Sequence, residues 1–404
     1  MSLFKKTASI DTRPEKIEAL LSRGVEDVFV MESLKKKLMS GKPLRIKFGI
    51  DPTGPTIHLG RAIPLRKLKA FQDLGHTIVL VIGDFTARIG DPSDKIEKRP
   101  MLTEAKIKEN LKGYKKIINK IIDVSRVEFV YNGSWLSKLG FSEITELAES
   151  FSVQQMSNRR NFKERLDKGE EISLREFLYP LMQGYDSVAV SADVEIGGFD
   201  QLFNLKAGRV IQKHYGMPEQ DVLTFSMLPG TDGRKMSTSW GNVINITDTA
   251  QDIFGKTMSL HDNLITTYFL LCTDVSLEDI KKIESDIAQG ANPRDAKVRL
   301  AKEIVSLYHS PEDATKAEKN FFDTFNKGGV PEDAPLVTVA EKTPIADVVI
   351  SSKLVASKTE FKRLVGEGAI TDVKTGKVIE DFNALVLADM DLKIGKHRFL
   401  KIRK

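Results

Sequence analysis

Residues suited to phosphate chemistry lie in two loops that are far apart in the chain. The first loop, Phe48–Arg61, follows an alternating apolar run, and its Thr53, His58 and backbone N–H groups at a helix start could face an anion. The second loop, at positions 233–239, reads Gly-Arg-Lys-Met-Ser-Thr-Ser and carries Lys235. Taken alone, the first loop also fits a plain turn with a surface histidine. Together, the two loops favour a site for nucleotide phosphates.

A third group of polar residues lies on one face of a predicted helix. Tyr179, Gln183 and Asp186 stand at positions i, i+4 and i+7. A phenol, an amide and a carboxylate on one face could line a polar pocket, or they could form a solvated stripe. The residues alone leave both interpretations open.

The two loops resemble the signature sequences of class I aminoacyl-tRNA synthetases, His-x-Gly-His and Lys-Met-Ser-Lys-Ser. The resemblance implies an enzyme that activates an amino acid with ATP, with Thr53, His58 and Lys235 acting in catalysis. Mg²⁺ would arrive with ATP, and no metal site of the protein's own is expected. The implied ATP-binding residues are Gly60, Arg61, Asp200, Met236, Ser237 and Ser239.

The polar helix resembles the Tyr-x-x-x-Gln-x-x-Asp helix of tyrosyl-tRNA synthetases, and the segment 193–204 is similar to the one that follows it in that family. The resemblance implies that Asp91 takes the substrate ammonium and that Asp186 accepts a hydrogen bond from the substrate phenol. The implied tyrosine-binding residues are Asp51, Thr86, Asp91, Asn132, Tyr179, Gln183, Asp186 and Gln201.

This sequence departs from the family pattern at three positions. Arg61 replaces the second histidine of the first signature, and Thr238 replaces the second lysine of the second signature. Lys47 stands where one branch of the tyrosyl family has a phenol-binding tyrosine, which indicates the other branch. The first two changes suggest slower activation or, in the extreme, a relative without catalysis.

The elements that must position these residues read as an α/β protein. An apolar run at Thr77–Ile82 and a further predicted strand at Val127–Tyr131, with helical segments between strands, are typical of a doubly wound parallel sheet with ligands at the carboxyl ends of its strands. We expect helices at Arg13–Arg23 and Val25–Met39, and a long helix that begins at Thr103 and continues to Ile121. Pro64 predicts that the helix after the first loop begins later than the motif suggests.

The domain plan predicted from these patterns has four parts. Residues 1–246 are expected to form a Rossmann-like catalytic domain with a helical insertion at about 95–190, and residues 247–325 a helical domain, which the resemblance implies is the anticodon-binding one. A linker at 326–342 leads to a small C-terminal α/β RNA-binding domain at 343–404, with two helices, a strand pair and a final strand beginning at Lys393.

The tail is the expected RNA-binding part. It holds 12 Lys and Arg against 8 Asp and Glu, which is +4 of the net charge of +5. Such a cluster is also compatible with an ordinary solvated surface, but the tail resembles a small RNA-binding domain that bacterial-type tyrosyl-tRNA synthetases share with a ribosomal protein. The candidate phosphate contacts are Lys358, Lys362, Arg363, Lys396 and Arg398.

Composition fits this interpretation. A chain of 404 residues with 41% hydrophobic and 29% charged residues is that of a globular protein with more than one domain. The single cysteine, Cys272, excludes an internal disulfide and lies in an apolar run. We find no long apolar run or signal peptide, so we expect a cytoplasmic protein without a membrane segment.

These observations predict a tyrosine–tRNA ligase, with tRNA(Tyr) and L-tyrosine as partners. The family resemblance also implies a homodimer formed through the helical insertion. One alternative is a tryptophanyl-tRNA synthetase, which has a similar fold but normally lacks this tail. The other alternative is a synthetase-like RNA-binding protein without aminoacylation activity, which Arg61 and Thr238 bring into consideration.

Overall fold

The computed structural model describes residues 9–52, 56–91, 103–326, 330, 334–395 and 398–404. The chain divides into two compact units. The first unit comprises Met1–Thr247 with Thr266–Ile280, and the second comprises Asp248–Ile265 with Lys281–Lys404. None of the helices in the described ranges is long and apolar enough to cross a membrane.

A twisted sheet forms the centre of the first unit. Its strands are β1 (Val25–Phe29), β2 (Arg45–Ile50), β3 (Thr77–Ile82), β4 (Val127–Tyr131), β5 (Val194–Gly198) and β6 (Asp221–Phe225). They lie in the order β1-β6-β5-β2-β3-β4, and β2 to β6 pair in parallel. This is the doubly wound order, with a switch point between β2 and β5 where the chain changes direction across the sheet. The predicted fold class is therefore confirmed.

Helices alternate with the strands along the chain in this unit. They are α1 (Pro14–Ser22), α2 (Met31–Met39), α3 (Leu59–Asp73), α4 (Thr86–Ile89), α5 (Glu104–Leu111), α6 (Tyr114–Ile118), α7 (Gly133–Leu136), α8 (Phe141–Glu149), α9 (Val153–Ser157), α10 (Arg160–Asp167), α11 (Leu174–Ala189) and α12 (Leu202–His214). Strands β3, β5 and β6 are almost completely buried, as a parallel sheet between helices requires.

The N-terminal segment contains a strand that we did not predict. We expected a helix over Val25–Met39, but Val25–Phe29 forms β1 and pairs antiparallel with β6, with Val28 opposite Leu223. Edge pairing satisfies the backbone groups of β1, and this long-range contact overrides local preference. Helix α2 begins only at Met31.

Two predicted helices have different bounds from those expected. Helix α3 begins at Leu59, before Pro64, because its first turn is stabilised from outside: the Leu59 amide donates to the carbonyl of Ile244 at 2.9 Å. The long helix predicted from Thr103 is broken into α5 and α6 by Gly113, which has a φ of 79°. A left-handed residue of this kind ends an α-helix.

The second unit begins with a group of packed helices. Its elements are α13 (Ala250–Met258), part of α14 (Ile265–Cys272) and of α15 (Leu277–Ala288), α16 (Pro293–Tyr308) and α17 (Pro311–Asn326). We expected one helical domain over residues 247–325, but residues 266–280 belong to the first unit. The reason is polar anchoring: the Arg23 guanidinium donates to the carbonyls of Thr273 and Val275, and the Tyr268 hydroxyl donates to the carbonyl of Pro229.

The tail has its own sheet and core. Its elements are β7 (Leu336–Thr338), α18 (Ile345–Ser351), α19 (Lys358–Gly366), β8 (Ile370–Asp372), β9 (Lys377–Val378), β10 (Met390–Ile394) and β11 (Arg398–Arg403). The strands lie in the order β7-β11-β10-β8-β9 around a buried cluster that includes Phe361, Leu392 and Ile402.

Two details of the tail differ from our expectation. Part of the predicted linker, Leu336–Thr338, is a strand, because it pairs in parallel with the end of β11. The predicted final strand is a hairpin of β10 and β11 that turns at Gly395, which has a φ of 66°. The central residues of the linker, at 327–329 and 331–333, lie outside the described residues.

Candidate active site

The candidate side chains follow the carboxyl ends of neighbouring parallel strands. Asp51 comes directly after β2, Thr86 lies on the helix after β3, and Asn132 comes directly after β4. Asp200 and Gln201 form a short 3-10 turn directly after β5. Because these strands flank the switch point of the sheet, the side chains are brought to the edge where doubly wound proteins bind ligands.

Helix α11 turns its polar face inward. Ser173 and Glu176 form a capping box that starts the helix. Tyr179 is only 6% exposed and Asp186 only 4% exposed, so the solvated-stripe interpretation is wrong. Gly184 lets α12 approach closely, since a Cβ there would lie 2.9 Å from Ile211 and 3.1 Å from the carbonyl oxygen of Ala207.

Asp51 joins the first loop to α11. Its carboxylate accepts hydrogen bonds from the Tyr179 hydroxyl at 2.9 Å and from the Thr86 hydroxyl at 2.7 Å. Burial, together with the negative charge of Asp51, raises the pKa of Tyr179 well above its ordinary value, so this phenol stays a neutral donor. A Cβ at Gly83 would lie 1.9 Å from Asp51 Oδ1, so this approach requires glycine.

Asp186 is a buried carboxylate with two neutral donors. Asn132 Nδ2 donates to one of its oxygens at 3.2 Å and Trp135 Nε1 donates to the other at 2.8 Å. Burial raises the pKa of Asp186 to about 7, although the charge of Lys47 and these hydrogen bonds lower it. Asn132 also donates to the Thr86 hydroxyl at 3.0 Å, so Asp186, Asn132, Thr86 and Asp51 form one continuous network.

Asp91 lies in a second network. Its carboxylate accepts from Gln201 Nε2 at 2.6 Å and from Asn204 Nδ2 at 3.4 Å, and the Arg159 guanidinium donates to Asn204 Oδ1 at 2.9 Å. Burial lowers the pKa of Arg159 to about 10, and the charge of Asp91 opposes that shift. The site therefore contains the Asp91 carboxylate, which the buried Arg159 guanidinium reaches through Asn204.

Several members of these networks were not predicted as site residues from the sequence. Trp135 and Arg159 reach the site from segments without a site motif, and Asn204 ends the segment 193–204 without a role of its own. Gln183 was predicted to line the pocket beside Asp186, but its amide nitrogen donates to Glu195 at 3.1 Å. Trp135, Arg159 and Asn204 have no common spacing in the sequence. Only the folded chain shows that they belong to the site.

The two signature loops are adjacent in the fold. His58 forms a β-bridge with Asn245, and the Ile246 amide donates to the carbonyl of Ile57 at 3.0 Å. A Cβ at Gly60 would lie 3.1 Å from the sulfur of Met236. His58 also caps α3, since its Nδ1 accepts from the Arg61 amide at 3.4 Å. The two loops therefore meet in the folded chain.

The second loop is held in shape by Asn242. Its amide donates to Asp232 at 2.8 Å and to the carbonyl of Lys235 at 3.1 Å, and it accepts from the Ser237 amide at 2.8 Å. Gly230 is needed here, because a Cβ would lie 2.2 Å from the Asn242 nitrogen. Lys235 is thus exposed on a loop whose backbone is ordered by a neighbouring side chain.

The substituted signature positions are both exposed. Arg61 lies in the first turn of α3, and it forms a hydrogen bond with the buried phenol of Tyr114 in α6. Thr238 begins a short 3-10 turn that ends at Trp240. Thr53 and Lys396 lie outside the described residues, and the side chain of Ser239 is also outside them.

The candidate RNA-binding cations of the tail take part in local contacts. Lys358 pairs with Asp347 at 3.0 Å, Arg363 with Glu367 at 2.7 Å and Arg398 with Glu360 at 3.1 Å. The Lys362 ammonium lies 6.0 Å from the ring centre of Phe382. In the described part of the chain, no group of three or more His, Cys, Asp and Glu side chains could hold a metal ion.

Known proteins resemble this chain over nearly its whole length. Residues 39–326 match the family of tRNA synthetases class I (W and Y). The tyrosine–tRNA ligase of Thermotoga maritima is 44% identical over 393 residues, which cover 96% of this chain and 98% of the relative. The tyrosine–tRNA ligase of Francisella tularensis is also 44% identical, with 95% of this chain and 97% of the relative covered.

Solved structures share the fold. A C-terminally truncated mitochondrial tyrosyl-tRNA synthetase of Aspergillus nidulans has a TM-score of 0.62 and 23% identity, and the match covers 78% of this chain and 95% of that chain. The tyrosyl-tRNA synthetase of Archaeoglobus fulgidus, solved with L-tyrosine, has a TM-score of 0.60 and 22% identity, with 76% and 100% covered. The chain therefore belongs to the class I tRNA synthetases of the tryptophan and tyrosine group, and within that group to the tyrosine–tRNA ligase family.

Proposed function

We propose that this enzyme activates L-tyrosine with ATP to give tyrosyl-adenylate and then transfers the tyrosyl group to tRNA(Tyr). The observation that carries the proposal is the buried Asp186 carboxylate, bonded by Asn132 and Trp135 beside the switch point of the sheet. A buried acceptor of this kind suits a phenolic side chain, because the phenol would otherwise be buried without a partner.

The tyrosine pocket is proposed to bind its substrate at two ends. Asp186 accepts from the substrate phenol, and Asp91 binds the substrate ammonium with a charge-assisted hydrogen bond. Gln201, bonded to Asp91 at 2.6 Å, lies beside the ammonium end. Tyr179 and Thr86 hold the carboxylate of Asp51, which belongs to the first loop, and Asn132 supports Asp186.

The adenylation step needs no general base. The substrate carboxylate is itself the nucleophile, and it attacks the α-phosphorus of ATP while pyrophosphate leaves. Alignment of the reactants and positive charge on the phosphates can supply catalysis. We assign this role to Thr53, His58 and Lys235, because the two loops that carry them are adjacent.

ATP is proposed to bind along the same two loops. Its phosphate oxygens are ligands that Mg²⁺ prefers, so we expect the ion to enter with the nucleotide. Arg61 has the charge to contact a phosphate, and its hydrogen bond to Tyr114 holds the guanidinium near the helix start. The other proposed ATP contacts are Gly60, Asp200, Met236, Ser237 and Ser239.

Exchange of labelled pyrophosphate into ATP tests the proposed reaction. We expect exchange that depends on L-tyrosine, and only weak exchange with L-phenylalanine or L-tryptophan at the same concentration. A tyrosyl-tRNA synthetase is itself the known example of such selectivity, with a discrimination against phenylalanine of about 10⁵-fold. Exchange driven equally well by tryptophan, or absent with every amino acid, would contradict the proposal.

Replacing Lys235 with methionine should reduce kcat for pyrophosphate exchange by about 100-fold with little change in KM for tyrosine. The ammonium is proposed to stabilise charge that develops on the leaving pyrophosphate, and groups with this role contribute on that scale. Steady-state exchange kinetics measure both constants.

Arg234→Met is the matched control for Lys235→Met. Arg234 is an exposed cation of the same loop, but it pairs with Asp232 at 2.6 Å and lies over Trp240. The control should keep kcat within about threefold of wild type. Equal losses in the two variants would mean that loop folding, and not the Lys235 charge, determines the rate.

The tail and the helices before it are proposed to bind tRNA. Lys358, Lys362, Arg363, Lys396 and Arg398 would contact phosphates, which positions RNA without reading its bases. Residues 247–325 are proposed to approach the anticodon. Since tRNA charging supplies translation, we also propose that the enzyme acts in the cytoplasm.

A homodimer through the helical insertion is also proposed. Three large apolar side chains of that insertion are highly exposed: Phe141 is 82% exposed, Val153 is 75% and Leu174 is 83%. Exposed apolar residues of this size are typical of a surface that a partner covers. A second copy of the same chain would bury them.

Leu174→Glu should convert the proposed dimer into a monomer at micromolar concentration. A buried charge without a partner is strongly unfavourable at an interface. Sedimentation velocity measures the change in mass. Met39→Glu, an exposed position on α2, is the control and should leave the mass unchanged. A wild-type protein that sediments as a monomer would contradict the dimer proposal.

A further inference from the structure

A buried ion pair lies between the tyrosine pocket and the sheet. Lys47 of β2 and Glu195 of β5 are register partners in neighbouring parallel strands, and their charged atoms are 2.9 Å apart. The side chain of Lys47 is 0% exposed and that of Glu195 is 1% exposed. The pair lies directly at the switch point of the sheet, below α11.

Lys47 has a complete set of acceptors. Its ammonium donates to Glu195, to the carbonyl of Gln183 at 2.7 Å and to the Ser187 hydroxyl at 2.8 Å. Three acceptors satisfy the three N–H groups of an ammonium. Two of these acceptors belong to the turns of α11 that carry Asp186, so Lys47 connects the sheet to the polar helix face.

Glu195 is equally well satisfied. Besides Lys47, its oxygens accept from Gln183 Nε2 at 3.1 Å, from the Ser187 hydroxyl at 3.2 Å and from Gln220 Nε2 at 2.5 Å. A buried carboxylate with this many donors is held in one orientation. Its contact with Gln183 holds that amide against β5.

We propose that Lys47 and Glu195 are positioning residues for tyrosine recognition: the pair orients α11, and the Lys47 charge favours the ionised form of Asp186 beside the substrate phenol. This inference rests on the proposed function. Replacing a buried pair by apolar residues often leaves stability unchanged, so stability alone is a weak reason for a fully buried pair at this place. Lys47 would then serve in this chain as the indirect partner of the phenol.

The charges that face Asp186 determine how the pair acts on it. Lys47 from β2 favours the ionised carboxylate, Glu195 from β5 opposes it, and Asn132 and Trp135 donate hydrogen bonds to it. Among these influences, Lys47 gives the strongest lowering of the pKa of Asp186. Loss of the whole pair therefore raises that pKa, whereas loss of the Glu195 charge alone lowers it.

The test is the pH profile of kcat/KM for tyrosine in pyrophosphate exchange, measured between pH 5.5 and 9. The acidic limb of this profile reports ionisation of the free enzyme. Activity should rise with pH through about 7 in wild type, because the ionised Asp186 is a stronger acceptor for the phenol than the protonated form is. In Lys47→Met/Glu195→Gln the limb should move up by about one pH unit, and KM for tyrosine at pH 7 should rise about fivefold, because the ionised fraction of Asp186 falls from about one half to about one tenth.

Glu195→Gln alone should move the limb in the opposite direction. It removes the negative charge but keeps a side chain of the same shape beside Gln183. KM for ATP should stay within about twofold of wild type in both variants, since the two side chains bond to α11, to Gln220 and to each other. A general loss of packing would not move the acidic limb up in the double variant and down in Glu195→Gln.

Arg165→Met/Glu176→Gln is the matched control. This second buried pair joins α10 to the start of α11 at 2.5 Å, away from Asp186. It should lower the melting temperature and leave the acidic limb in place. The inference would be overturned if the acidic limb were unchanged in both Lys47–Glu195 variants, or if it shifted equally in the control. Tyrosine-dependent exchange by the wild-type enzyme would still uphold the proposed function in either case. Absence of that exchange in wild type would overturn both.

Discussion

Asp186→Asn is expected to reduce kcat/KM for tyrosine by about 100-fold and to leave KM for ATP nearly unchanged. The variant removes the charged acceptor of the substrate phenol, and hydrogen bonds to charged groups contribute about 1.5–3 kcal/mol. The new amide also places an N–H group toward Asn132 or Trp135, both of which donate to Asp186 in the native protein. Pyrophosphate exchange at varied tyrosine and ATP concentrations measures the effect.

The discrimination between substrates makes this prediction specific. Phenylalanine has no hydroxyl to pair with Asp186, so its kcat/KM should change much less than that of tyrosine. Asp167→Asn, an exposed carboxylate on α10, is the control and should match wild type. Equal losses for tyrosine and ATP in Asp186→Asn would remove Asp186 from the tyrosine pocket.

Removal of the tail is expected to separate the two steps of the reaction. A chain that ends at Asn326 should form tyrosyl-adenylate at a rate within about twofold of wild type, while kcat/KM for tRNA charging should fall by at least about 100-fold, because each lost phosphate contact weakens RNA binding. The cut precedes β7, since this strand pairs with β11 and belongs to the tail sheet. The tail core, which includes Phe361 and Leu392, is removed as a whole.

A charge variant of the intact tail tests the same prediction without truncation. Replacing Lys358, Lys362 and Arg363 of α19 by alanine should reproduce part of the loss in charging and weaken its salt dependence, because fewer counterions are released from the RNA. The three residues are exposed, so the tail should keep its fold. Full charging by the truncated chain would exclude the tail from tRNA binding.

Local elements were predicted well where one contiguous segment determines them. The bounds predicted for β3 and β4 are those observed. Strand β3 is an apolar run that the sheet buries, whereas β4 is a partly exposed edge strand whose valine and aromatic residues favour an extended backbone. Strand β1 was missed, since its sequence Val-Glu-Asp-Val-Phe is only partly apolar and its state depends on pairing with β6. The helix break at Gly113 was not predicted, because the helical spacing of apolar residues continues from Leu111 to Tyr114 across it.

The sequence by itself determined the fold class, the two signature loops and the identity of the polar residues on α11, because spacing and residue type carry that information. Only the tertiary structure decided their partners: Trp135 and Asn132 for Asp186, Arg159 behind Asp91, and Glu195 for Lys47. These partners lie far apart in the chain. Burial and ion pairing depend on distances in space, and a linear pattern does not contain those distances.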